Sequence, residues 1–192
     1  MTARPDDTNG GADGTTSGET GTDGLAFRML ERHELPLALP LLAALNPGIA
    51  PGLLAERFLA SAAYPTYRCA AALLDPALMD AALLDDGEAV STVGGRALVA
   101  VAGLWETTRP YSGKQLEPDH VVVLPAVRSR GVGRKLMAWI EALARAEGCE
   151  TIELNAYLAN TRAHAFYAAD GFAPLGYHFQ KRLRPDDGTS SP

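Results

Sequence analysis

The chain has 192 residues, of which 47% are apolar, 21% charged and 7% aromatic. That length suits one domain, and that composition is ordinary for a soluble globular protein, which excludes wholesale disorder. The formal net charge of −6 argues against a general nucleic-acid binder. The longest apolar run, Val121 to Val127, is interrupted by Pro125 and falls far short of the ~20 residues a membrane span needs.

The charge sits in the tails. Residues 1–24 hold Asp6, Asp7, Asp13, Glu19 and Asp23 against Arg4, and residues 185–192 add Asp186 and Asp187, so 25–184 is electroneutral. Residues 1–24 also contain six glycines and no Leu, Ile, Val, Phe, Trp or Tyr. Such a stretch buries too little apolar surface to offset its ordering entropy. Disordered tails are therefore expected at 1–24 and 185–192, with the domain at 25–184. The N-terminal tail is read as solvated, or as a regulatory or partner-binding segment. Met1-Thr-Ala-Arg-Pro-Asp-Asp lacks the basic start and apolar core of a signal peptide, so the cytoplasm is the expected compartment. Cys69 and Cys149, 80 residues apart and outside any CxxC, read as two reduced thiols. None of the four histidines has i, i+4 spacing, so no metal site is expected.

In chain order, Ala26–Leu30 reads as a short strand. Glu31–Asn46 has helical spacing through Leu35, Leu39, Leu42 and Leu45, although Pro36 and Pro40 interrupt it. Gly52–Ala62 reads as a second helix and Tyr67–Leu74 as a strand. Residues 75–96 are the least legible stretch, with a turn or two of helix over Ala77–Leu84. Ala97–Trp105 is a strand, and His120–Leu124 is a buried strand stopped by Pro125. Gly131–Glu147 carries Val132, Leu136, Met137, Ile140, Leu143 and Ala144 on one helical face. Thr151–Tyr157 reads as a strand, Asn160–Asp170 as a helix with an N-cap at Asn160, and Phe172–Leu183 as a last strand. This alternation predicts an α/β or α+β three-layer fold.

The chemistry concentrates at Val121-Val-Val-Leu-Pro-Ala-Val-Arg128-Ser-Arg-Gly131-Val-Gly133-Arg134-Lys135. A buried strand enters a glycine-containing turn that opens a helix. A helix start offers unpaired N–H donors and a partial positive charge, yet Arg128, Arg130, Arg134 and Lys135 cluster there. Each cation at that end is normally unfavourable by ~0.3–1 kcal/mol, so an anion is implied, with pyrophosphate the natural candidate. The bland alternative is a turn with solvated basic side chains. A Walker A loop is absent. A dinucleotide GxGxxG fails at its third position, Leu136, although Glu153 stands at about the right distance for a ribose acid.

The spacing present, Arg128-x-x-Gly131-x-Gly133, resembles the acetyl-CoA signature of the GNAT superfamily of acyl-CoA N-acyltransferases. Asn160-Thr-Arg-Ala163-His-Ala-Phe166-Tyr167-Ala-Ala-Asp-Gly171-Phe172 resembles that family's N-x-x-A-x-x-x-Y-x-x-x-G-F segment. Together the two cover roughly 97–183. The resemblance implies a mixed, mostly antiparallel sheet splayed between its fourth and fifth strands, with helices on both faces and acetyl-CoA in the opening. It implies that backbone N–H groups of Ser129, Arg130, Gly131, Val132, Gly133 and Arg134, after Arg128, hold the pyrophosphate. Main-chain groups of Val121 and Val123 would bind the pantetheine arm. Asn160 would touch that arm or hold the splay open, while also serving as an N-cap.

Tyr167 would be the general acid for the leaving thiolate; its alternative is a packed aromatic. The base is expected on or before the fourth strand, at Glu117, with Asp119 on its nominal face and His120 as the side chain type titrating nearest neutrality. Strict alternation would align Glu117, Asp119, Val121 and Val123, unless Pro118 spoils the parity. Other family members place a Glu five residues before the motif Asn, where this chain has Asn155. Trp105, Tyr111, Tyr157 and His178 are expected near the open side. The expected activity is N-acetyl transfer to a primary amine of a small molecule or protein. A non-catalytic acyl-CoA-binding module on the same fold is the alternative. Neither a nucleic acid nor a membrane is an expected partner, and a homodimer is left open.

Overall fold

The computed structural model describes residues 23–79, 90–181 and 183. Short apolar and β-branched stretches supply its sheet: β1 (Leu25–Met29), β2 (Tyr67–Leu74), β3 (Thr92–Val93), β4 (Arg96–Arg109), β5 (Gly113–Val123) and β6 (Thr151–Ile152). The order is β1-β2-β4-β5-β6, with β3 pairing β4. Every pairing is antiparallel except β5 with β6. A parallel pair needs a crossover, and here the crossover contains the long amphipathic helix α3 (Val132–Ala146).

Two neighbouring residues of β2 show how the layers stack. Tyr67 meets Phe58 of α2 (Pro51–Ser61) with ring centroids 6.3 Å apart. Arg68 forms a two-pronged ion pair with Glu147 at the end of α3, one N–O distance being 2.6 Å. Successive strand residues point to opposite faces, so α2 and α3 cover opposite sides of the sheet. Trp139 of α3 stacks on Phe27 of β1 at 6.4 Å, and the core runs through Leu98–Ala102, Leu104, Leu116, Leu136 and Ile140. The mixed three-layer architecture is as the sequence led one to expect.

Several elements differ in extent. Glu31–Asn46 is not one helix: Arg32–Ala38 is a 3-10 segment around Pro36, and only α1 (Leu39–Leu45) is α-helical, with Pro40 in its first turn. Proline tolerates a first turn but removes an interior hydrogen bond, so the pattern breaks there. Pro76–Leu78 is a 3-10 turn; residues 80–84 of the short helix expected over 77–84 lie outside the described residues. The strand expected at 120–124 is the end of a much longer β5. The strand expected at 151–157 is two residues long. Residues 172–181 and 183 form no strand, and Leu175, Tyr177 and Phe179 are largely exposed. Their alternation specifies a face, but a strand also needs a paired edge, and the β5–β6 ladder has already stopped.

The tails expected at 1–24 and 185–192 lie outside the described residues apart from Asp23 and Gly24. Those two are bonded to the domain: Gly24 O accepts from Asp75 N at 3.1 Å and from Arg96 Nη1 at 2.9 Å, and Asp23 pairs with Lys135. Among the described residues no helix is long and apolar enough to cross a membrane.

Candidate active site

The turn before α3 is shaped by two left-handed residues, Ser129 (φ 63°) and Gly131 (φ 79°). Gly131 is the N-cap of α3, so no side chain caps the helix, and its first turn holds no acid. A Cβ at Gly131 would meet nothing within 4 Å, so the cap faces open space. A Cβ at Gly133 would lie 3.4 Å from Val123 Cγ2 and 3.5 Å from Phe166 Cζ, where α3, β5 and α4 (Thr161–Ala169) converge. The exposed N–H groups of the first turn therefore stand in a shallow cradle, suited to an anion. Arg130 and Arg134 make no ion pair among the described residues. Arg128 turns back, its Nε donating to Val123 O at 3.0 Å, and Lys135 pairs with Asp23. Of the four cations clustered in the sequence, two thus face outward unpaired.

Beside the cradle the sheet opens. The β5–β6 ladder consists of Gln115↔Thr151 and Leu116↔Ile152, closed by Glu153 N donating to Leu116 O at 3.2 Å. Beyond that point residues 117–123 of β5 and 154–157 diverge without pairing. This is the splay that the family resemblance implied, although β3 makes it fall between the fifth and sixth strands here. Asn155 spans the throat, its Nδ2 donating to Glu117 Oε1 at 3.0 Å, while Arg109 Nη2 donates to the other Glu117 oxygen at 3.3 Å. With its side-chain amide turned so that nitrogen and oxygen exchange places, buried Gln115 joins the group by accepting from Arg109 Nε (3.0 Å) and donating to Glu153 Oε1 (3.3 Å). Tyr111 also donates to Glu153, at 3.0 Å.

His120 breaks the regular strand. Gly103 pairs with Asp119 but Val101 pairs with Val122, so β5 carries one extra residue there, and His120 has φ 51°. This bulge corrects the expected parity. Asp119 shares its face with Val122, because cross-strand partners share a face and Gly103 and Val101 are two apart. Val121 and Val123 point the other way. The bulge also locks a local pair: Asp119 Oδ1 accepts from His120 N at 2.8 Å, and Asp119 Oδ2 lies 3.0 Å from His120 Nε2. The imidazole is thus oriented by a carboxylate, with Nδ1 turned away from it.

Tyr167 lies on α4 between Phe166 and Phe172, its ring centroid 5.1 and 5.6 Å from theirs. Burial, reinforced by the charge of Asp119, pushes its phenol up to about 12, so it carries its proton at neutral pH. Packed aromatic and proton donor are therefore compatible descriptions of one residue. Asn160 is the N-cap of α4, its Oδ1 accepting from Ala163 N at 3.0 Å. Tyr157 and His178 are exposed and apart from this cluster, whereas Trp105 joins it opposite Glu117. Cys69 is buried and its thiol is pushed up to about 12, which removes it as a thiolate nucleophile at neutral pH. Among the described residues no group of His, Cys, Asp and Glu could hold a metal ion.

Sequence reasoning missed Tyr67, Arg109 and Gly103. Register places Tyr67, Trp105 and Glu117 in one row across β2, β4 and β5, and Cys69, Gly103 and Asp119 in the next. Nothing in the sequence near any of these residues signals those rows.

A mixed, mostly antiparallel sheet that opens beyond its two β5–β6 pairs, with helices on both faces, is the architecture found in acetyltransferases of solved structure. The profile of the acetyltransferase (GNAT) family matches residues 55–172, and the chain belongs to that family of acyltransferase enzymes. A stretch of 67 residues is 37% identical to the aminoalkylphosphonate N-acetyltransferase of Salmonella typhimurium, covering 35% of this chain and 44% of that protein. The matched stretch thus spans less than half of that relative. Among solved structures, a putative acetyltransferase from Agrobacterium tumefaciens is similar at 25% identity and TM-score 0.59, over 82% of this chain and 99% of that one. An aminoglycoside N-acetyltransferase crystallised with CoA shares the fold at TM-score 0.62 and 18% identity, over 83% of this chain and 95% of that one. A ribosomal-protein-alanine N-acetyltransferase from Brucella melitensis does so at TM-score 0.62 and 16% identity, over 83% and 99%.

Proposed function

We propose that this chain is an acetyl-CoA-dependent N-acetyltransferase that transfers the acetyl group to a primary amine by direct attack. The observation carrying this reading is the conjunction at one opening of the uncapped α3 start with its Gly131 turn, Tyr167, and the Asp119–His120 pair. The catalytic domain is taken as 25–184. Its two cysteines are free thiols, which suits a cytoplasmic enzyme.

The residues fit a CoA pyrophosphate. In this reading N–H groups from Ser129 to Arg134 hold the pyrophosphate, Arg130 and Arg134 supply positive charge unpaired among the described residues, and Val121 and Val123 offer strand backbone to the pantetheine arm. Arg128 releases Val123 O when that arm pairs with the strand. Asn160 shapes the wedge by starting α4.

An ammonium cannot attack a thioester, so one proton must leave the amine before attack and a second as the tetrahedral intermediate collapses. Glu117 is committed to Arg109 and Asn155. His120, oriented through Nε2 by Asp119, presents Nδ1 and is the better base. It takes one amine proton and returns it to solvent. Tyr167 supplies a proton to the departing thiolate and is recharged by the other. Glu117 then orients the acceptor beside the wedge.

Release of free CoA from acetyl-CoA, scored against a panel of primary amines that includes aminoalkylphosphonates, tests the activity. Thermal shift with acetyl-CoA tests the site separately. Stabilisation without turnover on any amine would leave a binding module; stabilisation by NAD and not by acetyl-CoA would overturn the reading.

A further inference from the structure

The two ends of the opening carry opposite charge. At the α3 start, Arg130 and Arg134 are unpaired among the described residues. At the throat, the carboxylates of Glu117, Asp119 and Glu153 stand against one described guanidinium, that of Arg109. Glu117 and Asp119 share a face of β5, opposite Trp105 and Gly103, and Glu153 joins them through the turned amide of Gln115. Lys114 lies on the other face, where it donates to Glu147 O at 3.1 Å. Two donors hold each carboxylate: Arg109 and Asn155 on Glu117, Gln115 and Tyr111 on Glu153, and the His120 N–H and ring on Asp119. A carboxylate has about four acceptor positions, so each acid is fixed in place with room for a further donor.

Two neighbours of these acids point to a ligand. Tyr64 is 61% exposed, and its ring tilts onto Trp105 at 5.7 Å, so an open aromatic wall stands directly across from Glu117. Such a wall suits the methylenes and charge of an alkylammonium. Behind it, Tyr67 is 7% exposed, and its hydroxyl is buried with no hydrogen-bond partner among the described residues. That oxygen lies over Gly103, where a Cβ would be 2.6 Å away, and Gly103 lines the Asp119 end of the throat. A buried hydroxyl left unpaired is less stable than the bare ring of Phe, so it calls for a partner.

We propose that the acceptor is a dicationic amine: its reacting nitrogen sits at the Asp119 end, where an N–H pairs the Tyr67 oxygen, and its second ammonium sits between Glu117 and Glu153. Residues 117 and 119 are two apart on a regular stretch of β5, about 7 Å along the strand, which sets the spacing of the two nitrogens. A four-carbon diamine such as putrescine meets it. An aminoalkylphosphonate does not: its anionic end would face Glu117 and Glu153, and Arg109 already serves Glu117 and Gln115. This acceptor class rests on the N-acetyltransferase reading, but the charge preference is measurable as binding alone.

The experiment is calorimetric titration of the full chain, saturated with CoA so that no acetyl group is available, with putrescine, butylamine and aminoethylphosphonate. Putrescine binds about 10-fold tighter than butylamine, the low end for an added charge-assisted hydrogen bond, and aminoethylphosphonate binds more weakly than either. Glu153→Gln keeps the shape and removes one charge, so it narrows the gap between putrescine and butylamine about 3- to 10-fold. Raised salt narrows it as well. Tyr67→Phe weakens both amines about 3-fold, because the reacting nitrogen is common to them, and melts no lower than wild type. Equal binding of putrescine and butylamine, tighter binding of the phosphonate, a gap that Glu153→Gln leaves intact, or wild-type binding of both amines by Tyr67→Phe overturns the proposal. A wild type that releases no CoA from acetyl-CoA with any amine overturns the N-acetyltransferase reading instead, and the titrations still decide which amine the throat holds.

Discussion

On one side of β4 the sheet is fully paired; on the other it comes apart. The β2–β4 ladder runs through eight pairs, from Tyr67↔Trp105 to Leu74↔Ala97, and Leu98–Ala102 are essentially shut off from solvent. The β5–β6 ladder has two pairs, and Tyr157 and Leu158 just beyond it are mostly exposed. The proposed chemistry lies on the second side. Where a ladder stops, backbone donors and acceptors are left for a ligand, and polar side chains can face a wedge instead of a core. The paired half supplies rigidity, and the unpaired half supplies groups that are not already spoken for.

The strongest way to break this contrast is by truncation in each half. Leu104→Ala, at a fully buried position of β4, should cost ~2–5 kcal/mol, because transfer and cavity losses add. Leu158→Ala should stay within ~0.5 kcal/mol. Chemical denaturation of both variants checks this; equal losses would mean that the open half is packed as tightly as the closed one.

The cradle sharpens it next. Acetyl-CoA at a hundredfold excess over Kd should stabilise the protein by ~2.7 kcal/mol, seen as a raised melting temperature. Gly131→Val should remove that shift and cost a further ~1–3 kcal/mol, since a β-branched residue is strained at positive φ. Tyr167→Phe should keep the acetyl-CoA shift and slow turnover about 100-fold, the low end for a lost general acid, because a thiolate of pKa ~8.5 leaves readily. Single-turnover rates on an accepted amine provide the measurement, and a wild-type rate would return Tyr167 to packing alone.

A smaller effect belongs to the closed half. The Arg68 guanidinium, bonded to Glu147, holds that carboxyl below its ordinary value. A depressed acid stabilises above its unfolded pKa of ~4.3, and the contribution disappears as pH falls through the lower native value. Glu147→Gln should therefore cost about 1 kcal/mol at neutral pH and almost nothing once the pH is below that lowered native value. Melting curves of both proteins across that range should converge on the acidic side. The smallest effect is expected from deleting residues 1–22, which leaves Asp23 on Lys135: melting temperature and acetyl-CoA shift should both stay at wild type.

What the sequence determined by itself was local. The turn and helix from Arg128 to Lys135 are specified by glycine placement, an apolar face and a cluster of cations. The start of α4 follows from Asn160 capping its own helix, and Pro36 and Pro40 already warned that the first helix would break. Each of these signals acts over a few residues, so it survives in a one-dimensional reading. Only the tertiary structure decided the length of β5, the bulge at His120 that turns Asp119 away from the face of Val121 and Val123, and the exposure of Leu175, Tyr177 and Phe179. It alone set Tyr67 over Gly103 beside Asp119. These outcomes depend on which strand edge a residue meets, and that partner lies 16 residues away for Gly103 and Asp119 and 34 for Cys69 and Gly103. Periodicity says which way a side chain points; pairing register says what it points at.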